Sequence, residues 1–172
     1  MVDAYLKLSG IERNSFQPDV RPVDVIPLLT EAQRELTALR NAGNKRLSIT
    51  NTGAPLAGDE RFVVAGEEPL LQTMLVNLVK NAFEAAPDGT EVTVDLGGDD
   101  SRAVIAVRNL GVVPPEIRGR FFRKYVTAGK SRGTGLGAYS ARLIAQALGG
   151  GIELDTSDPA ATTIRVTLPR PA

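Results

Sequence analysis

The chain has 172 residues, no formal net charge and 42% apolar residues. That suits one domain with a real core, and it gives no broad electrostatic reason to bind nucleic acid or a membrane surface. It contains neither cysteine nor histidine, which excludes disulfides, thiolate or imidazole metal sites, a Ser-His-Asp triad and a phosphohistidine on these residues.

The opening stretch, Met1 to Glu12, places Val2, Tyr5, Leu6, Leu8 and Ile11 at helical spacing. So short a helix must pack on something, a partner chain included, or fray. Gly10 and the stretch from Asn14 to Pro22 are expected to break it. Asp24 to Asn41 reads as a second helix, with Val25, Leu28, Leu29, Ala32, Leu36 and Leu39 in period and Gly43 just beyond its end. Leu47–Thr50 and Arg61–Ala65 read as short strands around the turn-rich Asn51 to Asp59. Glu67 to Ala86 is the strongest helix, with a wide apolar face from Leu71, Met74, Leu75, Leu78, Val79, Ala82 and Ala86 and a stop at Pro87-Asp88-Gly89. Val92–Leu96 and Ala103–Val107 follow as strands joined by a hairpin-like Gly97-Gly98-Asp99-Asp100. Gly111 to Gly137 is loop-like, with one short helix expected near Pro115 to Phe122. Leu136 to Leu148 is helical and ends at Gly149-Gly150-Gly151. Gly151–Asp155 and Thr163–Leu168 read as closing strands.

Strands joined by tight turns, interrupted by amphipathic helices, argue for an α/β two-layer sandwich: a mixed, mostly antiparallel sheet covered on one face by helices. No apolar run approaches the ~20 residues of a bilayer span. The first residues lack the basic-then-apolar order of a signal peptide, and the lack of cysteine fits a reducing compartment, so a cytoplasmic domain is expected.

Four segments carry chemistry. Asn77, Asn81 and Glu84 lie on one stripe of the long helix. Asparagine is a poor helix former, so the stripe is either a solvated face or a place where amide and carboxylate oxygens meet a hard cation such as Mg²⁺. Gly133-Thr134-Gly135-Leu136-Gly137 runs straight into a helix. Glycines there let backbone approach a ligand, and the helix start favours an anion, so the segment is a phosphate cradle or a flexible hinge. It lacks the Gly-Lys-Ser/Thr of a P-loop. Arg108-Asn109-Leu110-Gly111 ends a strand with a polar side chain and a close-approach glycine, suited to reading a base edge. Arg118, Arg120, Arg123, Lys124 and Lys130 place cations in the loop before the glycines, where they screen phosphate charge or solvate a surface.

Together and in this order the segments resemble the catalytic and ATP-binding domain of sensor histidine kinases, in the superfamily shared with DNA gyrase, mismatch-repair ATPases and a heat-shock chaperone. Leu75 to Ala82 resembles the family's N box, Val107 to Gly111 its first glycine box, Phe122 to Thr127 its phenylalanine box, Gly133 to Gly137 its second glycine box, and Ala161 to Pro169 its closing strand. The resemblance covers about residues 20 to 170.

The resemblance implies roles. Asn81 would bind Mg²⁺ bridging the phosphates, with Asn77 one turn before it, and these two are the expected catalytic residues. Lys80 and Glu84 flank them at the nucleotide. Asn109 would face the adenine amino group, Gly111 would let the base lie close, and Thr162 would sit near it. Gly133, Thr134, Gly135, Leu136 and Gly137 would hold the phosphates and hinge a lid, with Lys130 reaching the terminal phosphates. Hydrolysing members of the superfamily resemble one another in a glutamate where this chain has Asn77. An amide is no base at neutral pH, which favours phosphoryl transfer over ATP hydrolysis. The opening residues resemble the end of the second helix of the family's dimerisation domain, so residues 1–16 are expected to belong to that domain and 17–172 to the catalytic one.

The implied partners are ATP or ADP, a histidine-bearing dimerisation domain of the same protein and the receiver domain of a response regulator. No nucleic acid or membrane contact by this fragment is expected; the full-length protein is free to carry an anchor elsewhere. The sequence departs from the family where Asn109 replaces the usual aspartate and Val112-Val113 stand in the region of a second glycine. Those departures keep open a degenerate nucleotide-binding or docking module. An anti-sigma-type serine kinase, which shares the fold, is the third alternative.

Overall fold

The computed structural model describes residues 2–13, 15–37, 44–127 and 134–172, with side chains from residue 7 onward. The elements are α1 (Val2–Glu12), β1 (Arg21–Asp24), α2 (Val25–Thr37), β2 (Arg46–Asn51), β3 (Ala54–Pro55), β4 (Val63–Gly66), α3 (Glu68–Ala85), β5 (Glu91–Gly98), β6 (Arg102–Leu110), α4 (Pro115–Arg118), α5 (Gly137–Ala147), β7 (Gly151–Asp155) and β8 (Ala161–Pro169). Gly10 lies inside α1 and does not break it. Leu39 lies outside the described residues.

The main sheet has six strands in the order β3-β2-β5-β6-β8-β7. β2 runs parallel to β5, and its other pairings are antiparallel. Alternation decides which face is covered. Val92, Val94 and Leu96 on β5, Ala103, Ile105 and Val107 on β6, and Ile164, Val166 and Leu168 on β8 point inward and are buried. Leu71, Leu75 and Leu78 of α3 and Ile144 of α5 join them in one core. Full burial of a side chain of this size is worth roughly 1.5–3 kcal/mol, so the α3 face is a main anchor of the helix layer. This is the expected mixed sheet with helices on one face.

β1 was not expected from the sequence. It pairs antiparallel with β4 as a separate two-stranded sheet, Arg21 opposite Gly66. Pro22 obscures it in the sequence, and a pairing with a strand far along the chain leaves no local periodicity. Asp24 joins the end of β1 to its surroundings: its Oδ1 accepts from Ile26 N at 3.2 Å and from Phe62 N at 3.0 Å.

α1 packs on the body through Leu8 and Ile11, with Phe16 just beyond it. Lys7 Nζ reaches Glu67 Oε1 at 2.6 Å, and Glu67 Oε2 accepts from Asp19 N at 3.0 Å. The opening helix therefore packs rather than frays.

Candidate functional site

α3 and α5 lie side by side, and a cavity of about 460 Å³ opens between them, the end of β6 and the segment after it. Asn77, Lys80, Asn81 and Glu84 of α3 line it. Their spacing around a helix anchored by Met74, Leu75, Leu78 and Val79 turns the polar stripe toward the cavity while the apolar face enters the core. From the far strands come Asn109, Gly111 and Thr162, and from the start of α5 come Thr134, Gly135 and Gly137. Leu136 is not among the lining residues; it occupies the position just before α5. Lys130 and Gly133 lie outside the described residues.

Asn109 and Thr162 are the two buried polar side chains among the described residues, 4% and 6% exposed. The β6–β8 ladder sets them opposite each other. The Thr162 hydroxyl donates to Gly111 O at 2.8 Å, and Gly111 N donates to Ala160 O at 2.9 Å. Asn109 Nδ2 donates to Leu110 O at 2.6 Å. That bond commits the amide nitrogen to the backbone and leaves the side-chain oxygen as the acceptor. Gly111 has φ +104°, and a Cβ there would stand 3.1 Å from Ala85 O. Glycine is thus required both by conformation and by the approach of α3.

The other end of the cavity is built differently. A Cβ on Gly137 would lie 3.1 Å from Asn81 Nδ2 and 3.3 Å from Asn81 Oδ1. The Asn81 amide therefore rests against the start of α5, where unpaired backbone N–H groups and the helix dipole favour an anion. At Gly135 (φ +66°) a Cβ would fall 2.6 Å from Tyr125 Cα, and Tyr125 N donates to Gly135 O at 3.0 Å. The two sides of the loop are pinched together at a neck just before α5.

Sequence reasoning missed the apolar wall. Val112, Val113, Pro114, Phe121, Val126 and Ile164 also line the cavity. Ile164 was accessible from the period of two, because it shares the face of Thr162 on β8. Val112 and Val113, read as a departure, supply part of the wall. Among the described residues the loop cations do not line it: Arg118 Nε donates to Val113 O at 2.8 Å, Arg120 and Arg123 are exposed, and Lys124 pairs with Glu12. No helix among the described residues is long and apolar enough to cross a membrane.

The model of the family described as histidine kinase-, DNA gyrase B- and HSP90-like ATPase matches residues 66–172. The sensor-like histidine kinase SenX3 of Mycolicibacterium smegmatis is 31% identical over 98% of the chain and 44% of its own length. The histidine protein kinase DivJ of Caulobacter vibrioides is 31% identical over 98% of the chain and 28% of its own length. The chain thus spans less than half of these relatives. Among solved structures, the mycobacterial sensor histidine kinase MprB shares the fold at TM-score 0.74 and 24% identity, over 89% of this chain and 99% of that one. Full-length ShkA in complex with AMPPNP shares it at TM-score 0.77 and 20% identity, over 99% of this chain and 35% of that one.

Proposed function

The chain belongs to the family of histidine kinase-, DNA gyrase B- and HSP90-like ATPases and is an ATP-binding catalytic domain of the sensor histidine kinase type, and on that premise we propose that it binds ATP with Mg²⁺ in the α3–α5 cavity and transfers the γ-phosphoryl group to a histidine outside these residues. The observation that carries this reading is the contact of Asn81 with the start of α5, which joins a side-chain amide and a helix N-terminus at one point. The Asn81 oxygen is the kind of hard donor that Mg²⁺ accepts, and the bound ion would neutralise phosphate charge. Asn77 stands one turn earlier, with Lys80 and Glu84 beside it. The starts of α5 and its preceding glycines receive the phosphates. The Asn109 oxygen meets the exocyclic amino group of adenine between Gly111 and the apolar wall, with Thr162 holding Gly111 in place.

Transfer breaks the bond from the γ-phosphorus to the bridging oxygen, forms one to an imidazole nitrogen, and releases ADP. With no histidine in the chain, the acceptor lies on a dimerisation domain of the same protein. Positioning and charge neutralisation are this domain's share of the work. Residues 1–16, which include α1, belong to the end of a dimerisation domain and residues 17–172 to the catalytic unit. A response-regulator receiver domain then takes the phosphoryl group, and the domain works in the cytoplasm.

Calorimetric titration with ADP and ATP, with and without Mg²⁺, tests the reading. Mg²⁺-dependent binding that Asn81→Ala weakens by about 10–100-fold is expected, the range for a lost interaction with a charged group. Absence of binding at millimolar nucleotide sinks the proposal. It would favour the docking-module alternative, to which the amide at Asn109 lends some support.

A further inference from the structure

The last turn of α1 meets the loop that leads into the neck. The Glu12 carboxylate accepts hydrogen bonds from Lys124 Nζ and from the Tyr139 hydroxyl of α5. Lys124 Nζ also lies 5.1 Å from the centroid of the Tyr139 ring, so the three groups close on one another. Lys124 immediately precedes Tyr125, which is held at φ +63° and donates through its N–H to Gly135 O at 3.0 Å. One short path therefore runs from α1 through Glu12 and Lys124 to the neck at Gly135, which lines the cavity. The other side of α1 is fixed independently, by Lys7 on Glu67 at the start of α3. The Lys124 bond, then the Tyr139 bond, holds the Glu12 carboxyl below its ordinary range, which agrees with the ionised pairing that the geometry shows.

We propose that Glu12 is a latch between α1 and the neck, so that the docking of α1 and the binding of nucleotide bias each other. The proposal rests on the nucleotide reading above. When α1 is seated, Lys124 is drawn to α1 and α5, and the strained Tyr125–Gly135 pinch is held. When α1 leaves, Lys124 loses its carboxylate and the pinch loses its outer support. The coupling is reciprocal, because nucleotide that favours one arrangement of the neck must favour the matching state of α1 by the same factor. Lys124 and Glu12 side chains are 39% and 32% exposed, so the expected factor is modest, about two- to fivefold.

Amide hydrogen exchange over residues 2–13 of the whole chain tests this, with and without Mg²⁺-ADP, in wild type, Lys124→Met and the charge swap Glu12→Lys with Lys124→Glu. Lys124→Met should speed exchange of α1 about two- to fivefold, and the swap should restore much of the protection. ADP should change α1 protection in wild type and not in Lys124→Met, and the ADP dissociation constant should shift by the same factor. Exchange in α1 that ignores Lys124→Met while ADP still binds overturns the latch alone. Exchange that responds to Lys124→Met in a chain that binds no ADP overturns the nucleotide reading, and the coupling with it. An equal ADP effect in wild type and Lys124→Met overturns the coupling.

Discussion

The two ends of the cavity are made of different kinds of interaction. At the Asn109 end, neighbouring strands hold everything: the β6–β8 ladder, the Thr162–Gly111 bond and the Gly111–Ala160 bond interlock polar groups that are almost wholly buried. At the Asn81 end, two helices meet side by side, a half-buried amide rests on a glycine, and the adjoining loop is pinched by one backbone bond. Buried hydrogen-bonded groups are costly to displace, so the first end is suited to selecting a ligand. The second end rests on fewer and more exposed contacts, so it costs less to rearrange. The nucleotide site proposed above draws on both, one end to recognise a ligand and one to rearrange around it.

The sharpest way to break this contrast is Gly135→Ala. The added Cβ would meet Tyr125 backbone at 2.6 Å in a positive-φ conformation, which costs about 1–3 kcal/mol if the pinch survives. Thermal melting then falls by roughly 2–4 °C for each kcal/mol. A near-unchanged melt with weakened nucleotide binding would mean that the neck opens to relieve the strain. Gly137→Ala is aimed at the Asn81 amide alone. It should weaken Mg²⁺-nucleotide about tenfold by calorimetry while leaving the melt nearly unchanged, because the obstacle is the end of a side chain.

At the other end, Asn109→Asp replaces a neutral acceptor with a charged one. It should shift preference toward ATP over GTP by about fivefold, as read by competitive binding, since a charged hydrogen bond is worth about 1 kcal/mol more than a neutral one, and it should lower the melt, because the donor to Leu110 O is lost. The smallest expected effect concerns Asp158, which props this end from outside. Its Oδ1 accepts from Ala160 N at 2.8 Å, and Arg108 donates to its Oδ2 at 2.8 Å. The Ala160 bond, then the Arg108 bond, pulls its carboxyl below the ordinary 3.8. A folded-state value below the unfolded one stabilises the fold above the ordinary value, and that stability is lost as pH falls through the folded value. Melting followed from about pH 6 down to about pH 3 should therefore drop less steeply in Asp158→Asn than in wild type.

Most helices and strands were legible because each carries its own period. The face of α3 is buried as its spacing predicts, and β5 and β6 alternate as half-buried strands should. Local rules failed where a partner far along the chain decides. β1 exists because β4 pairs with it. Gly10, a breaker by propensity, stays in α1, and a Cβ there would fall 2.7 Å from Phe16 Cβ, so close packing explains a glycine at that point. The polar site residues could be named from their motifs, whereas Phe121 and Ile164 of the apolar wall have no motif and read as ordinary core.

The sequence by itself determined most of the elements, their inward faces, the mixed sheet and the residue types able to meet a nucleotide, because periodicity and glycine placement act within a few residues. The tertiary structure alone decided that Asn81 touches the start of α5, that Thr162 braces Gly111, and that Glu12 reaches Lys124 and Tyr139. Those contacts join segments far apart in the chain, and their geometry follows from helix-on-helix packing and strand register, which no local pattern encodes.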